Sequence, residues 1–96
     1  MNKWGVDRNK VEEEWGARGF SCGLWTDPPG REWKDYVHNN DELFMVVEGT
    51  VELELNGAVL RPGIGEEVLI PALSLHSVKN AGSITAKWLY GYKMSA

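Results

Sequence analysis

The sequence predicts an all-β sandwich or barrel behind a short helical segment, and three observations carry that reading. From Gly19 onward the chain breaks into short strand-like runs separated by turn residues, the pattern of a β-rich domain. An Asn56-Gly57 pair stands between Val51–Leu55 and Ala58–Leu60, and Asn-Gly readily takes the two positive φ angles of a tight hairpin. Val51, Leu53 and Leu55 alternate with Glu52 and Glu54, which gives that run one core face and one wet face. With 96 residues and 43% apolar content, the chain can enclose one core. The expected organisation is therefore one domain over residues 1–96, with an N-terminal extension at 1–18 and a β body at about 19–93.

In chain order, Asp7 to Trp15 is charged and helix-permissive, with Asp7 as N-cap and Gly16 as stop. Strands follow at Phe20 to Thr26, Glu32 to His38, Leu43 to Glu48, Thr50 to Leu55, Ala58 to Leu60, Glu67 to Ile70, Ser77 to Asn80 and Ile84 to Lys93. Asp27-Pro28-Pro29-Gly30 reads as a stiff turn after the first of them. The run Leu43 to Val47 is apolar on both faces, so it is either covered on both sides within the chain or part of a subunit contact. The second alternative supports an expected homodimer.

Composition narrows the function classes. A net charge of -4, with ten scattered Lys and Arg residues, lacks the basic footprint that nucleic acid or an anionic membrane attracts. The single cysteine, Cys22, permits no intrachain disulfide and no thiolate pair for a metal; it reads as a buried, inert thiol, and the usage suits a cytoplasmic protein. No signal peptide or membrane-spanning run is visible. Five tryptophans are expected to be mainly core, although Trp33 and Trp88, with Tyr90, could instead line a pocket mouth. Asp41 and Glu48 read as ordinary exposed carboxylates.

His38 and His76 are the only histidines, and each lies beside an extended run. Residues two apart on a strand share a face, so Tyr36 and His38 are expected to point the same way, with Glu42 returning to that face if the chain stays extended. His76, after the Pro71 turn, could reach them from across the fold. Two imidazoles and one carboxylate form the facial triad that non-haem iron(II) and related metals favour.

The spacing around these residues resembles the cupin family. Gly30, Tyr36-Val37-His38, Glu42 and Gly49 follow its first motif, and Gly65, Pro71-Ala72-Leu73, His76 and Asn80 its second. Two of ten fixed positions depart: Tyr36 replaces a histidine and Leu73 a glycine. The resemblance implies a double-stranded β-helix, the jelly-roll cupin barrel, with a short N-terminal helix or turn. It implies one divalent transition metal, Fe, Mn, Ni or Zn, held by His38, Glu42 and His76. Tyr36 could then be a fourth ligand, a hydrogen-bonding neighbour of bound water, or pocket lining. The implied functions are a dioxygenase, isomerase or lyase acting on a small organic molecule, a non-catalytic metal or metabolite sensor, or a degenerate barrel without metal.

Overall fold

The computed structural model describes residues 5–94; residues 1–4, where the expected N-terminal extension begins, and 95–96 lie outside it. It opens with helix α1 (Arg8–Ala17), capped by Asp7, whose carboxylate accepts a hydrogen bond from the Lys10 amide at 3.2 Å. The helix runs past Gly16 and stops at Gly19, where φ is +86°. There the Gly19 amide donates to the Gly16 carbonyl and the Phe20 amide to the Trp15 carbonyl. That is a Schellman ending, in which a glycine with positive φ lets the chain reverse and the flanking apolar residues meet. Trp15 and Phe20 accordingly share one apolar cluster.

Eight strands follow: β1 (Gly23–Asp27), β2 (Glu32–Tyr36), β3 (Glu42–Glu48), β4 (Val51–Leu55), β5 (Ala58–Leu60), β6 (Glu67–Ile70), β7 (His76–Asn80) and β8 (Ala86–Tyr92). They form two four-stranded antiparallel sheets, ordered β1-β8-β3-β6 and β2-β7-β4-β5. This is the expected jelly-roll of the cupin type, and its two sheets do not close on one another. The hairpin between β4 and β5 turns at Asn56 (φ 49°) and Gly57 (φ 87°), the conformation that Asn-Gly accepts at low cost. Among the described residues no helix is long and apolar enough to cross a membrane.

Strand β3 is buried on both faces, with only Glu48 partly open. Phe44 and Val46 join Val51, Leu53, Ile70, Ala86 and Trp88 in the core between the sheets. Leu43, Met45 and Val47 face the other way and pack with Leu89, Phe20 and Trp15. Of the two readings of this apolar strand, cover within the chain is therefore the one observed, and the strand lends no support to a dimer. The cover is pinned by Glu67, whose carboxylate accepts from the Trp15 indole at 2.9 Å and pairs with Arg18 through two bonds of 2.8 and 3.0 Å. Cys22, expected to be buried, is only partly buried at the edge of this cluster, and desolvation raises its thiol pKa.

Two motif positions show why particular residues are required. At Gly49 φ is +84° and a Cβ would lie 2.9 Å from the Ala86 Cα, so only glycine fits the turn after β3. Leu73, which departs from the family's glycine, nonetheless holds a φ of +65° and is 71% exposed. A branched side chain there is held against its backbone preference at a cost of about 1–2 kcal/mol, with little burial in return. Leu73→Gly should therefore stabilise the protein by about 0.5–1 kcal/mol after allowing for glycine's greater freedom when unfolded. An unchanged or lower denaturation midpoint in urea would show that Leu73 is not strained.

Candidate metal centre

The chain assembles the three expected donors from two strand ends and a loop. Glu42 opens β3 and His76 opens β7. His38 comes from the connection after β2, because the strand ends at Tyr36 rather than continuing to His38 as the sequence pattern suggested. The cause is local: Asp35 takes a φ of +59° and the register of β2 against β7 shifts between Trp33 and Tyr36, a bulge that bends the strand. The chain between His38 and Glu42 is therefore not extended, and loop contacts place His38. Its carbonyl accepts from the Leu73 amide at 2.7 Å, and the Asp41 carboxylate accepts from the Ala72 amide at 2.7 Å. Asp41, expected to be an idle surface carboxylate, thus ties the loop of the first motif to the Pro71 turn of the second.

The donor atoms of His38, Glu42 and His76 lie within 4.8 Å of one another. Glu42 Oε1 stands 3.7 Å from His38 Nε2 and 3.6 Å from His76 Nε2. Such spacings leave room for one ion bonded to all three at about 2.0–2.2 Å. His76 Nδ1 is 3.0 Å from the Ser74 carbonyl; a carbonyl only accepts, so Nδ1 carries the proton and Nε2 offers its lone pair inward. Glu42 is 6% exposed, and its Oε1 has no hydrogen-bond partner. A buried carboxylate oxygen without a partner is costly unless a cation or proton satisfies it. The donor set therefore fits a divalent ion.

Burial sets the electrostatics. Desolvation raises the Glu42 carboxyl to about 7, and it lowers His38, with the facing His76 adding to the lowering. Tyr92 is raised to about 12, first by desolvation and then by Glu42 and Tyr90, so its hydroxyl keeps its proton.

These donors sit in a cavity of about 350 Å³. Trp33, Trp88, Tyr90 and Tyr36 line it. The Tyr36 ring stacks near His38, with centroids 6.2 Å apart, and Tyr36 pairs with His76 across β2 and β7. Sequence reasoning missed Trp25, Val78 and Tyr92, which complete the wall. Tyr92 was within reach of the alternation Trp88, Tyr90, Tyr92 on β8, and its hydroxyl lies 3.4 Å from His38 Nε2. Trp25 and Trp33 are thus cavity wall rather than core, whereas Trp15 is fully core.

Residues 23–92 match the family model described as the cupin domain. The chain belongs to the cupin family. Over 64 residues, 67% of this chain, it is 36% identical to a 5-nitrosalicylic acid 1,2-dioxygenase from Bradyrhizobium sp.. It spans only 31% of that relative's length. The cupin domain of Cnp3 from Schizosaccharomyces pombe superposes with a TM-score of 0.73 at 22% identity, over 80% of this chain and 57% of that one. A salicylate 1,2-dioxygenase from Pseudaminobacter salicylatoxidans superposes with a TM-score of 0.72 at 24% identity, over 78% of this chain and 22% of that one.

The raised Glu42 carboxyl makes the metal-free protein sensitive to pH. Unfolded, the group titrates near 4.5, and folded near 7; between these values the folded state holds a proton that the unfolded state has lost. The Glu42 contribution to the stability of the metal-free protein should accordingly be greatest below the unfolded value and fall as pH rises to about 7, by about 3 kcal/mol, a decline that the lowered His38 opposes in part. Urea unfolding of chelator-treated protein from pH 5 to 7.5 reads this directly. Glu42→Gln should flatten the profile, and an equal decline in that variant would assign the effect to another group.

Proposed function

We propose that the protein is a metal-dependent cupin that acts on a small organic molecule, with His38 Nε2, Glu42 Oε1 and His76 Nε2 holding one divalent ion of Fe, Mn, Ni or Zn. The observation that carries this is the buried Glu42 oxygen without a partner, set between two imidazole nitrogens whose lone pairs can face it. When bound, such an ion acts as a Lewis acid toward substrate oxygens and, if redox-active, supports reaction with dioxygen. Of dioxygenase, isomerase and lyase, the dioxygenase reading is favoured by the 36% identity to the Bradyrhizobium relative.

The residues around the ion have separable duties. Ser74 holds the His76 tautomer, and aromatic side chains line the cavity around the donors. Of the three lining phenols, Tyr36, Tyr90 and Tyr92, Tyr92 is the one within hydrogen-bonding reach of His38 Nε2. Were that nitrogen to hold an ion, its lone pair would be engaged and the Tyr92 hydroxyl would be free to donate to a substrate oxygen in the cavity. Tyr36 serves as lining. A non-catalytic binding module is the second reading, favoured because among the described residues the titratable lining groups besides the three donors are tyrosines, which offer no separate acid–base pair. Homodimer assembly and a cytoplasmic setting complete the proposal, the first on family habit and the second on the lone cysteine.

Elemental analysis of protein purified without chelator tests the metal, and oxygen uptake with hydroxylated aromatic acids separates the two functional readings. One equivalent of metal is expected in the wild type and little in His38→Ala, Glu42→Gln or His76→Ala, with the β fold intact by circular dichroism. Retention of stoichiometric metal by all three variants would refute the ligand set. Tyr36→Phe should change metal affinity less than threefold, and iron(III)-loaded wild type should show no phenolate charge-transfer band. Tyr92→Phe should cost about 10- to 100-fold in activity or ligand affinity, as for other outer partners of a metal site.

A further inference from the structure

The two sheets do not close, and their edge strands β1 and β2 flank the same cavity. β1 carries Trp25 and β2 carries Trp33. Their indole N–H groups do not point to solvent: Trp25 Nε1 donates to Asp27 Oδ1 at 3.0 Å and Trp33 Nε1 to Asp27 Oδ2 at 2.6 Å. Asp27 is 3% exposed, so one buried carboxylate spends each of its oxygens on a different tryptophan, one from each sheet. The rings are thereby fixed nearly perpendicular, at 78° with centroids 5.5 Å apart. Trp25 also meets Tyr90 edge-on at 6.2 Å, and Arg31 covers the Trp33 ring at 4.3 Å.

Trp25 is 39% exposed, and an indole so open would ordinarily sample several rotamers. Holding it in one pose has a structural cost, since a buried carboxylate needs strong partners. What the pose provides is a preset corner of aromatic surface in a cavity that, among the described residues, no lysine or arginine lines. We propose that Asp27 is a positioning residue that presets Trp25 and Trp33 as a corner for a planar aromatic ligand. This names the substrate class of the metal site and rests on the reading of that site given above. Asp27 itself touches the tryptophans and not the ligand.

Asp27→Asn tests it, because the amide keeps the volume but can accept from only one indole. Two probes are titrated into metal-loaded protein by calorimetry: salicylate, which has a ring, and oxalate, which offers oxygens to a metal without one. Wild type is expected to bind both. Asp27→Asn should bind salicylate about 3- to 10-fold more weakly, the size of one lost edge-to-face aromatic contact, while its oxalate affinity and metal content stay unchanged. Near-ultraviolet circular dichroism should lose intensity from the Trp25 and Trp33 pair. Trp33→Phe, which keeps a ring but frees an Asp27 oxygen, should show the same selective loss. Equal salicylate affinity in wild type and Asp27→Asn would overturn the proposal, as would a variant that loses both probes together, because that marks a general structural role. Wild type that binds oxalate but not salicylate would overturn the aromatic class while leaving the metal reading intact. Wild type that carries no metal yet binds salicylate through an Asp27-dependent site would sustain the aromatic corner and remove the metal reading alone.

Discussion

A carboxylate oxygen held out of water with no hydrogen-bond donor is a costly thing for a small protein to keep, and Glu42 is held there by backbone on both sides. Its own strand pairs with β6 at Ile70 and with β8 at Tyr92, so the Glu42 main chain cannot retreat toward solvent without breaking two ladders. That anchoring explains much of the site. Tyr92 stands beside the donors because it is the cross-strand neighbour of Glu42. The raised carboxyl and the lowered His38 are two results of the same desolvation. A cation bound between the donors would relieve all of them at once, which is how an unfavourable burial becomes affinity.

His38 has no such ladder and depends on lacing between loops. Asn40 donates to the Lys93 carbonyl, the Lys93 amide donates to the Asp41 carbonyl, and the Asp41 side chain takes the Ala72 amide. Together with the bond from Leu73 to His38, these join the chain before β3, the turn before β7 and the end of β8. Asn80 performs a similar service at the other end of β7: its side chain donates to the carbonyls of Asp27 and Ile84 and accepts from the Gly82 amide. The motif asparagine thereby steadies the turn that carries Asp27. Residues far apart in sequence are in this way made to agree on the position of a few atoms.

What could be read before the structure was whatever depends on local chemistry or fixed spacing. The Asp7 cap, the Asn56-Gly57 hairpin and the alternating face of β4 are local, and each is found where expected. The motif spacing picked out His38, Glu42 and His76, whose atoms do converge. The helix stop was misplaced because Gly16 and Gly19 both look like terminators, and only Gly19 has the positive φ that ends the helix. Other features depend on contacts that no spacing encodes. That Trp25 and Trp33 share one carboxylate follows from edge strands of opposite sheets flanking one cavity. Whether Leu43 to Val47 was covered from within or by a second subunit depended on where α1 folds back, and a helix with only Trp15 buried announces its docking face weakly. The strained backbone of Asp35 has no sequence signature either, since aspartate is tolerated at positive φ without being diagnostic of it.

The two-sided burial of β3 also bears on how the chain can change its length. Even-numbered positions of this strand, 42, 44 and 46, serve the cavity and the core between the sheets, whereas 43, 45 and 47 serve the face beneath the helix. Gaining or losing one residue inside the strand would exchange the two sets beyond that point. An insertion at its start would turn a carboxylate toward Trp15 and push Leu43 into the place of Phe44 in the core between the sheets. The Asn56-Gly57 hairpin carries no such alternation and holds none of the donors. Variation in length among proteins built on this plan should therefore gather at turns of that kind and leave the seven residues of β3 uninterrupted.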